Sequence, residues 1–259
     1  RIFVTTPDGH VIDLTNNATP LDFAYRVHTE VGHRCESALV DGVPVALNTP
    51  LKTGQSVEIV TGANASPRRE WLERRLGYIH TARAKEKIQD WFRERSDVEN
   101  LELARQTLTG WLHRLGLSYP SHKRLQALAQ MNSYEDDRAL LIGLAVGDCQ
   151  LFDLVEELYP PPGAQIVQPS LLPDLPAQTQ ETLSILIVAD DRAGLLRDVV
   201  TVLSDEQVGL VSNSAGVAGG GSLARIHLEL KISGFAKLAK VIERLRTLTN
   251  VHEVHRVAS

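Results

Sequence analysis

The chain has 259 residues, of which 43% are hydrophobic and 23% are charged, and its formal net charge is −5. This composition excludes a disordered or collagen-like chain and suits two or three small domains. No apolar run approaches the roughly 20 residues that a helix needs to cross a bilayer, so we expect no membrane segment. The chain begins in what reads as a strand already under way, and we expect it to be part of a longer protein.

The cysteine content limits the chemistry further. The two cysteines, Cys35 and Cys149, are far apart, which excludes a disulfide framework and a cysteine-based zinc finger. The histidine pairs His28/His33 and His252/His255 lack helical i,i+4 spacing. We therefore predict no metal site and a reducing compartment, the cytoplasm.

Residues 1–63 predict a small α/β domain. Two short apolar strands flank the Asp8-Gly9 turn, and a helix should then run from Pro20 to Val31, with Thr19 as its cap. Further short apolar runs follow up to residue 60. Two strands, one helix and then more strands are typical of a β-grasp, or ubiquitin-like, fold.

Residues 64–159 have helical periodicity and predict an all-helical middle domain. The apolar side chains from Leu101 to Leu115 recur at helical spacing and indicate a helix face that packs on a core. Ser133, followed three residues later by Asp136, resembles a capping box ahead of the next helix.

Residues 160–182 hold six of the 12 prolines and predict an extended linker. Residues 183–259 then alternate between strand and helix patterns in the order strand, helix, two strands, helix, strand, with Gly219 to Gly221 as a hairpin turn. This βαββαβ order is the ferredoxin-like plan. The predicted fold class is therefore α+β and multidomain.

The chain carries none of the familiar catalytic motifs. It has no Gly-x-Ser-x-Gly, no glycine-rich phosphate loop that ends in lysine, and no His-Glu-x-x-His. We predict no catalytic residue, and expect the chain to bind rather than to catalyse.

His28 is the first candidate for a binding contact. On a helical wheel it lies beside Leu21 and Tyr25, on the flank between the apolar and the polar face. A histidine there can stack on an unpaired base and donate to a sugar or phosphate oxygen, and His33-Arg34 would add positive charge. A packed or capping histidine, followed by a solvated turn, fits the same pattern.

A basic block is the second candidate. Residues 65–96 hold nine Lys and Arg against five Asp and Glu, interleaved with Trp71 and Trp91. Arginine among aromatic side chains suits RNA backbones and unstacked bases. The alternative is a solvated helix face, with both tryptophans in the core. The predicted RNA-binding or ribosome-binding residues are Arg68, Arg69, Arg83, Lys85 and Lys87.

A turn in the last domain is the third candidate. Asp191, Ala193, Gly194 and Leu195 lie between the first strand and the first helix of this domain. Free amides at a helix start can receive a carboxylate, so a free amino acid could bind here. A tight, aspartate-capped turn explains the same residues.

The string from Thr19 to Arg34, Thr-Pro-Leu-Asp-Phe-Ala-Tyr-Arg-Val-His-Thr-Glu-Val-Gly-His-Arg, closely resembles the TGS domain of long RelA/SpoT-family stringent-response proteins. The stretch from Trp71 to Phe92 is similar to the helical domain of that family. The stretch from Asp190 to Asp198 is similar to its C-terminal ACT domain. The resemblance covers nearly the whole chain and is weakest between residues 120 and 180.

This resemblance implies a function for the parent protein and for this part of it. The full protein would transfer pyrophosphate from ATP to GTP or GDP, with Mg²⁺, in catalytic domains that precede the TGS domain, and some members also hydrolyse the product. The TGS domain would grip the 3′ CCA end of deacylated tRNA on the ribosome, which favours His28, with Tyr25, His33 and Arg34, as RNA contacts. The same half would restrain the catalytic domains, and the ACT domain could bind an amino acid or form a homodimer.

The sequence departs from the family pattern at one place. Family members usually carry a cysteine-rich zinc-finger module, or a related one, between the helical and ACT domains, where this chain has only the proline-rich stretch. Ribosome contacts made by that module cannot be transferred to this chain. An amino-acid-sensing ACT module, or a dimerisation and autoinhibition module without RNA binding, stay open as alternatives.

Overall fold

The computed structural model describes residues 1–160, 181–218 and 223–257. The predicted α+β multidomain fold class is confirmed, although the domain limits stay predictions. Most of the predicted proline-rich linker and the predicted glycine hairpin at residues 219–221 lie outside the described residues. The chain separates into two compact units, Arg1–Thr107 with Ala129–Leu151, and Leu108–Leu128 with Phe152–Ser259.

The first unit begins with a β-grasp. The hairpin of β1 and β2 pairs antiparallel, β3 pairs antiparallel with both β4 and β5, and a parallel bridge from Thr5 to Ser56 links the two sheets. The core beneath them contains Val4, Phe23 and Val57. The elements are β1 (Ile2–Thr5), β2 (Val11–Leu14), α1 (Pro20–Val27), α2 (Thr29–His33), β3 (Cys35–Val40), β4 (Val43–Val45) and β5 (Val57–Thr61).

The predicted helix from Pro20 to Val31 is two helices, so its predicted end is wrong. α1 starts as the sequence signals indicate, because Thr19 and Asp22 form a reciprocal capping box ahead of Pro20. It ends at Val27, since His28 has an extended backbone with φ −159° and ψ 145°. The amide of Glu30 then donates to Nδ1 of His28 at 3.2 Å, and α2 begins.

Two short 3-10 segments and the helices α3 to α7 follow the β-grasp. The face of α4 that the apolar spacing predicted is buried at Ala104, Leu108 and Trp111. The predicted Ser133 capping box is wrong, because Asp136 itself caps α6 by accepting from the amide of Ala139. The helices are α3 (Ala82–Arg93), α4 (Asp97–Arg114), α5 (His122–Met131), α6 (Asp137–Val146) and α7 (Leu151–Leu158).

The last domain has the predicted βαββαβ order. Its antiparallel sheet has the order β7-β8-β6-β9, and every second residue of β8 is buried. A register shift in β9 opposite Val188 and Ala189 accounts for the spacing of three between Val251 and Val254, whereas Val257 pairs in regular register with Ser184. The elements are β6 (Glu181–Asp190), α8 (Leu195–Asp205), β7 (Gly209–Ala218), β8 (Leu223–Ile232), α9 (Gly234–Arg246) and β9 (Val251–Val257). Among the described residues, no helix is both long and apolar enough to cross a membrane.

Candidate functional site

The break between α1 and α2 sets the geometry of His28. Its side chain is exposed, and its only hydrogen bond among the described residues is the one its Nδ1 accepts from the amide of Glu30. An imidazole nitrogen that accepts carries no proton, so the neutral ring has its proton on Nε2. His28 therefore caps α2 through Nδ1, while its ring is exposed and its Nε2–H is available as a donor. The structure therefore shows both the capping role that the sequence left open and the exposed ring that a base contact needs.

Tyr25 does not share that exposed flank. Its side chain is wholly buried, and its hydroxyl lies 3.0 Å from Nδ1 of His33. Burial also raises the pKa of its hydroxyl far above the usual range, so the hydroxyl stays protonated. Because the ring has no exposed surface, the prediction that Tyr25 contacts RNA is wrong. Tyr25 lies in α1, before the break, and α2 packs against its ring at Gly32.

His33 and Arg34 lie at the far end of α2. His33 is half-buried, and burial lowers the pKa of its imidazole, so the ring is neutral at pH 7. Glu30 and Glu94 raise this pKa and Lys87 lowers it, which places all three charges near the ring. Arg34 is exposed, and its Nε donates to the carbonyl of Gly62 at 3.2 Å.

A groove of about 580 Å³ opens between α2 and α3, and we call it the α2–α3 groove. It brings His33 and Arg34 together with Lys87 and the half-buried Trp91. The guanidinium of Arg95 stacks on the Trp91 ring, 3.9 Å from the ring centre. Its lining residues are Thr29, Glu30, His33, Arg34, Ala63, Ala65, Ser66, Pro67, Lys87, Asp90, Trp91 and Glu94.

The basic block does not act as one surface. Arg68, Arg83 and Lys85 are exposed. Arg83 and Lys87 are four residues apart and so share a face of α3, whereas Lys85 lies between them on another face. Lys87 also pairs with Asp90 at 3.7 Å. The block therefore offers positive charge along one side of α3 rather than a continuous patch.

Arg69 is buried, and the prediction that it contacts RNA is wrong. Its guanidinium is 2.9 Å from the carboxylate of Glu73, and both side chains are only 1% exposed. It also donates to the backbone carbonyls of Leu144 and Cys149. The sequence could not show these contacts, since the carbonyls lie 75 and 80 residues along the chain. Trp71 is likewise buried, as the core alternative held.

Asp22 is a structural residue that the sequence did not single out. Its buried carboxylate accepts from the amides of Thr19, His80 and Thr81, and from the hydroxyl of Thr81 at 2.7 Å. Thr81 is itself the N-cap of α3. One carboxylate thus ties the starts of α1 and α3 together. The Thr19–Asp22 spacing signals the first of these roles, and nothing in the sequence signals the second.

The cysteines offer no nucleophile. Burial raises the pKa of Cys35 to about 12 and that of Cys149 to about 11. Both thiols are therefore protonated at neutral pH.

The turn at the start of α8 borders a second groove, of about 390 Å³. Asp191, Gly194 and Leu195 line it together with residues of β7 and β8, whereas Ala193 does not. Arg192 braces the turn through Asp198 at 2.6 Å and the carbonyl of Thr249. The amide of Leu195 donates to the carbonyl of Arg192. The expectation that this amide is free to bind a carboxylate is therefore wrong.

Comparison with known proteins gives two domain matches. A TGS domain model matches residues 2–61, and an ACT domain model matches residues 178–256. These are the β-grasp and the βαββαβ domain described above.

Named relatives match along most or nearly all of the chain. The chain is 28% identical to a GTP pyrophosphokinase of Haemophilus influenzae, over 99% of this chain and 46% of the relative. It is 27% identical to a GTP pyrophosphokinase of Escherichia coli, over 99% of this chain and 45% of the relative. A bifunctional (p)ppGpp synthase/hydrolase RelA of Mycobacterium tuberculosis is 32% identical over 84% of this chain and 31% of its own length. The chain thus spans less than half the length of these relatives.

The alignment with the H. influenzae protein is longer than this chain. It runs over 339 positions for the H. influenzae protein, although this chain has only 259 residues, so at least 80 positions hold residues of the relative alone. This relative therefore carries residues that this chain lacks. With a TGS domain, an ACT domain and an alignment over nearly its whole length, the chain belongs to the RelA/SpoT family and corresponds to its C-terminal region.

Proposed function

We propose that this chain is the regulatory region of a cytoplasmic (p)ppGpp synthetase, and that its TGS domain recognises the 3′ CCA end of deacylated tRNA on the ribosome. The relatives that it matches are named for (p)ppGpp synthesis, and the chain aligns with less than half of each. The pyrophosphate transfer, with its Mg²⁺, ATP and GTP, belongs to catalytic domains outside this chain. This region would control them.

The observation that carries the proposal is the geometry of His28. Its exposed ring stands at a helix break, with Nδ1 engaged by the amide of Glu30 and Nε2 carrying a proton. An exposed imidazole can stack on an unpaired base while Nε2–H donates to a sugar or phosphate oxygen. The capping bond holds the ring in place before RNA arrives, which lowers the entropic cost of binding.

The surroundings favour a short single-stranded end over a duplex. Residues 1–64 hold four Lys and Arg against seven Asp and Glu, so this part of the chain repels extended phosphate backbones. Positive charge lies at Arg34, within this part, and on the face of α3 that carries Arg83 and Lys87. Base contacts at His28, with a few phosphate contacts nearby, fit a terminal CCA.

Replacing His28 with glutamate is expected to weaken binding of deacylated tRNA by about tenfold or more. Stacking of one base on a ring contributes about 1–3 kcal/mol, and the new charge adds repulsion. A filter-binding titration measures the loss. His28→Asn is a sharper variant, because asparagine can still cap α2 and only the ring is removed.

His10→Glu is the matched control for that titration. His10 is an exposed histidine of the same domain, in the β1–β2 turn, so its replacement makes the same change in charge away from α2. We expect its affinity for tRNA to stay within about twofold of wild type. Equal losses for His10→Glu and His28→Glu would show a general charge effect and would count against the proposed contact.

The groove beside α8 supports a second candidate function, the binding of a free amino acid by the ACT domain. It combines the carboxylate of Asp191 and the left-handed Gly194, at φ +83°, with apolar lining from Leu195, Val217 and Ile226. A carboxylate beside an apolar surface suits the ammonium and side chain of a branched-chain amino acid.

Calorimetry on the whole chain tests this second function. We expect leucine, isoleucine or valine to bind with a millimolar or lower dissociation constant, and Asp191→Ala to remove the heat of binding. Absence of heat with all three ligands at millimolar concentration would dismiss the function.

A further inference from the structure

Tyr25 and His33 form an isolated hydrogen-bonded pair beneath the α2–α3 groove. The Tyr25 hydroxyl lies 3.0 Å from Nδ1 of His33, and the two rings meet edge to face with centres 5.4 Å apart. Neither side chain has another hydrogen bond in the described part of the chain. Tyr25 is fully buried, whereas His33 reaches the groove.

The direction of this hydrogen bond follows from burial. If Nδ1–H of His33 donated, the hydroxyl proton of Tyr25 would be left buried without an acceptor, which is costly. If the hydroxyl donates to an unprotonated Nδ1, both atoms are satisfied, and the imidazole proton moves to Nε2. Water or a ligand in the groove can then accept a hydrogen bond from Nε2–H.

Gly32 is required for this arrangement. A Cβ built at Gly32 would lie 2.5 Å from ring carbons of Tyr25, so only glycine lets α2 approach the ring this closely. The close approach holds the hydroxyl under His33. The pair is therefore fixed by backbone packing and not only by its own hydrogen bond.

We propose that Tyr25 is a positioning residue that holds His33 as its Nε2–H tautomer, so that the α2–α3 groove presents a neutral hydrogen-bond donor to an acceptor atom of an unstacked nucleotide. This inference rests on the proposed function for its ligand. It makes His33 a second nucleotide contact besides His28. Both histidines then expose Nε2–H, each through an Nδ1 that accepts from the protein.

The groove suits a nucleotide on three counts. Its volume of about 580 Å³ lies within the range of small-ligand sites. Arg34 and Lys87 line it, beside the carboxylates of Glu30, Asp90 and Glu94, and can meet a phosphate. Trp91, with the guanidinium of Arg95 stacked on its ring, adds aromatic surface. It also begins at Thr29, next to His28, and α2 rises only about 7.5 Å over its five residues, so one short single strand can reach both histidines.

Ring nitrogen shifts of ¹⁵N-labelled histidine in the whole chain test the first half of the proposal. His33→Gln identifies the His33 signals by their loss. We expect Nε2 protonated and Nδ1 unprotonated in the wild-type protein, and a mixture of both tautomers in Tyr25→Phe, which keeps the ring and removes the hydroxyl. A proton on Nδ1 in wild type, or no change in Tyr25→Phe, would overturn the proposal.

Binding of a minihelix RNA that ends in single-stranded CCA tests the second half. Loss of one hydrogen bond predicts affinity about three- to tenfold lower for His33→Gln. Tyr25→Phe leaves part of the population as the Nε2–H tautomer, so we expect a smaller loss, of about twofold. Tyr159→Phe is the matched control, because it removes a hydroxyl that bonds the carbonyl of Ser118 in the other unit. We expect this control to leave both the His33 signals and the affinity unchanged.

The variants separate this inference from the proposed function. If His28→Asn weakens minihelix binding while Tyr25→Phe and His33→Gln bind as wild type, the groove is not a reading position, although the proposed function stands. If none of the three variants changes the affinity, both fail. If the wild-type chain does not bind the minihelix, the ligand assignment is also overturned.

Discussion

Replacing Asp22 with alanine is expected to lower the free energy of unfolding by about 3–5 kcal/mol, because several buried donors lose their acceptor at once. The amides of Thr19, His80 and Thr81 all donate to this carboxylate, which is 1% exposed. The loss should also release the N-cap of α3, since Thr81 is held by the same carboxylate.

Urea unfolding followed by tryptophan fluorescence measures this change. Asp13→Ala is the matched control, because Asp13 lies in the same domain and its one ion-pair partner among the described residues is the exposed Arg1. A surface pair contributes about 0–1 kcal/mol, so the control should unfold close to wild type. If Asp22→Ala and Asp13→Ala unfold at the same urea concentration, the bridging role of Asp22 is refuted.

Replacing Arg69 with methionine is expected to destabilise the first unit by about 3–5 kcal/mol without changing affinity for RNA. The change removes the 2.9 Å ion pair from the buried Glu73 carboxylate, and it removes the guanidinium donors to the backbone carbonyls of Leu144 and Cys149. Arg83→Met, at an exposed arginine, should have the opposite profile, with near-normal stability and weaker binding of RNA.

A double variant distinguishes a buried charge from a packing defect. In Arg69→Met with Glu73→Leu no charge remains unpaired, so we expect it to recover a large part of the lost stability. A double variant less stable than Arg69→Met alone would mean that shape, rather than charge, governs this site.

The sequence predicted elements well where local signals were strong. The Thr19-Pro20 start of α1 was visible because capping box and proline both act within one turn. The strand β8 was visible because the alternation from Arg225 to Glu229 records one buried face. Such patterns need no knowledge of distant residues, and the family resemblance added the domain order.

The wheel failed where the backbone departs from a helix. A single extended residue, His28, rotates everything after it, so Tyr25 and His28 do not share the flank that a continuous helix would give them. The exposure of His28 was still predicted correctly, although for a different local reason.

Contacts far apart in sequence escaped prediction for a physical reason. Asp22 meets Thr81, and Arg69 meets Cys149, only because the chain folds back. The sequence pattern of a basic block is identical whether a given arginine faces solvent or a buried carboxylate. Arg68 and Arg69 are adjacent, and only the structure separates the exposed residue from the buried one.

The proposed sensing of uncharged tRNA is tested most directly by comparing one tRNA in its deacylated and aminoacylated forms, in a filter-binding titration against the whole chain. We predict tighter binding of the form with the free 3′ hydroxyl, and loss of that preference in His28→Asn. Equal affinity for the two forms, or a preference that His28→Asn leaves intact, would contradict recognition of the CCA end through His28.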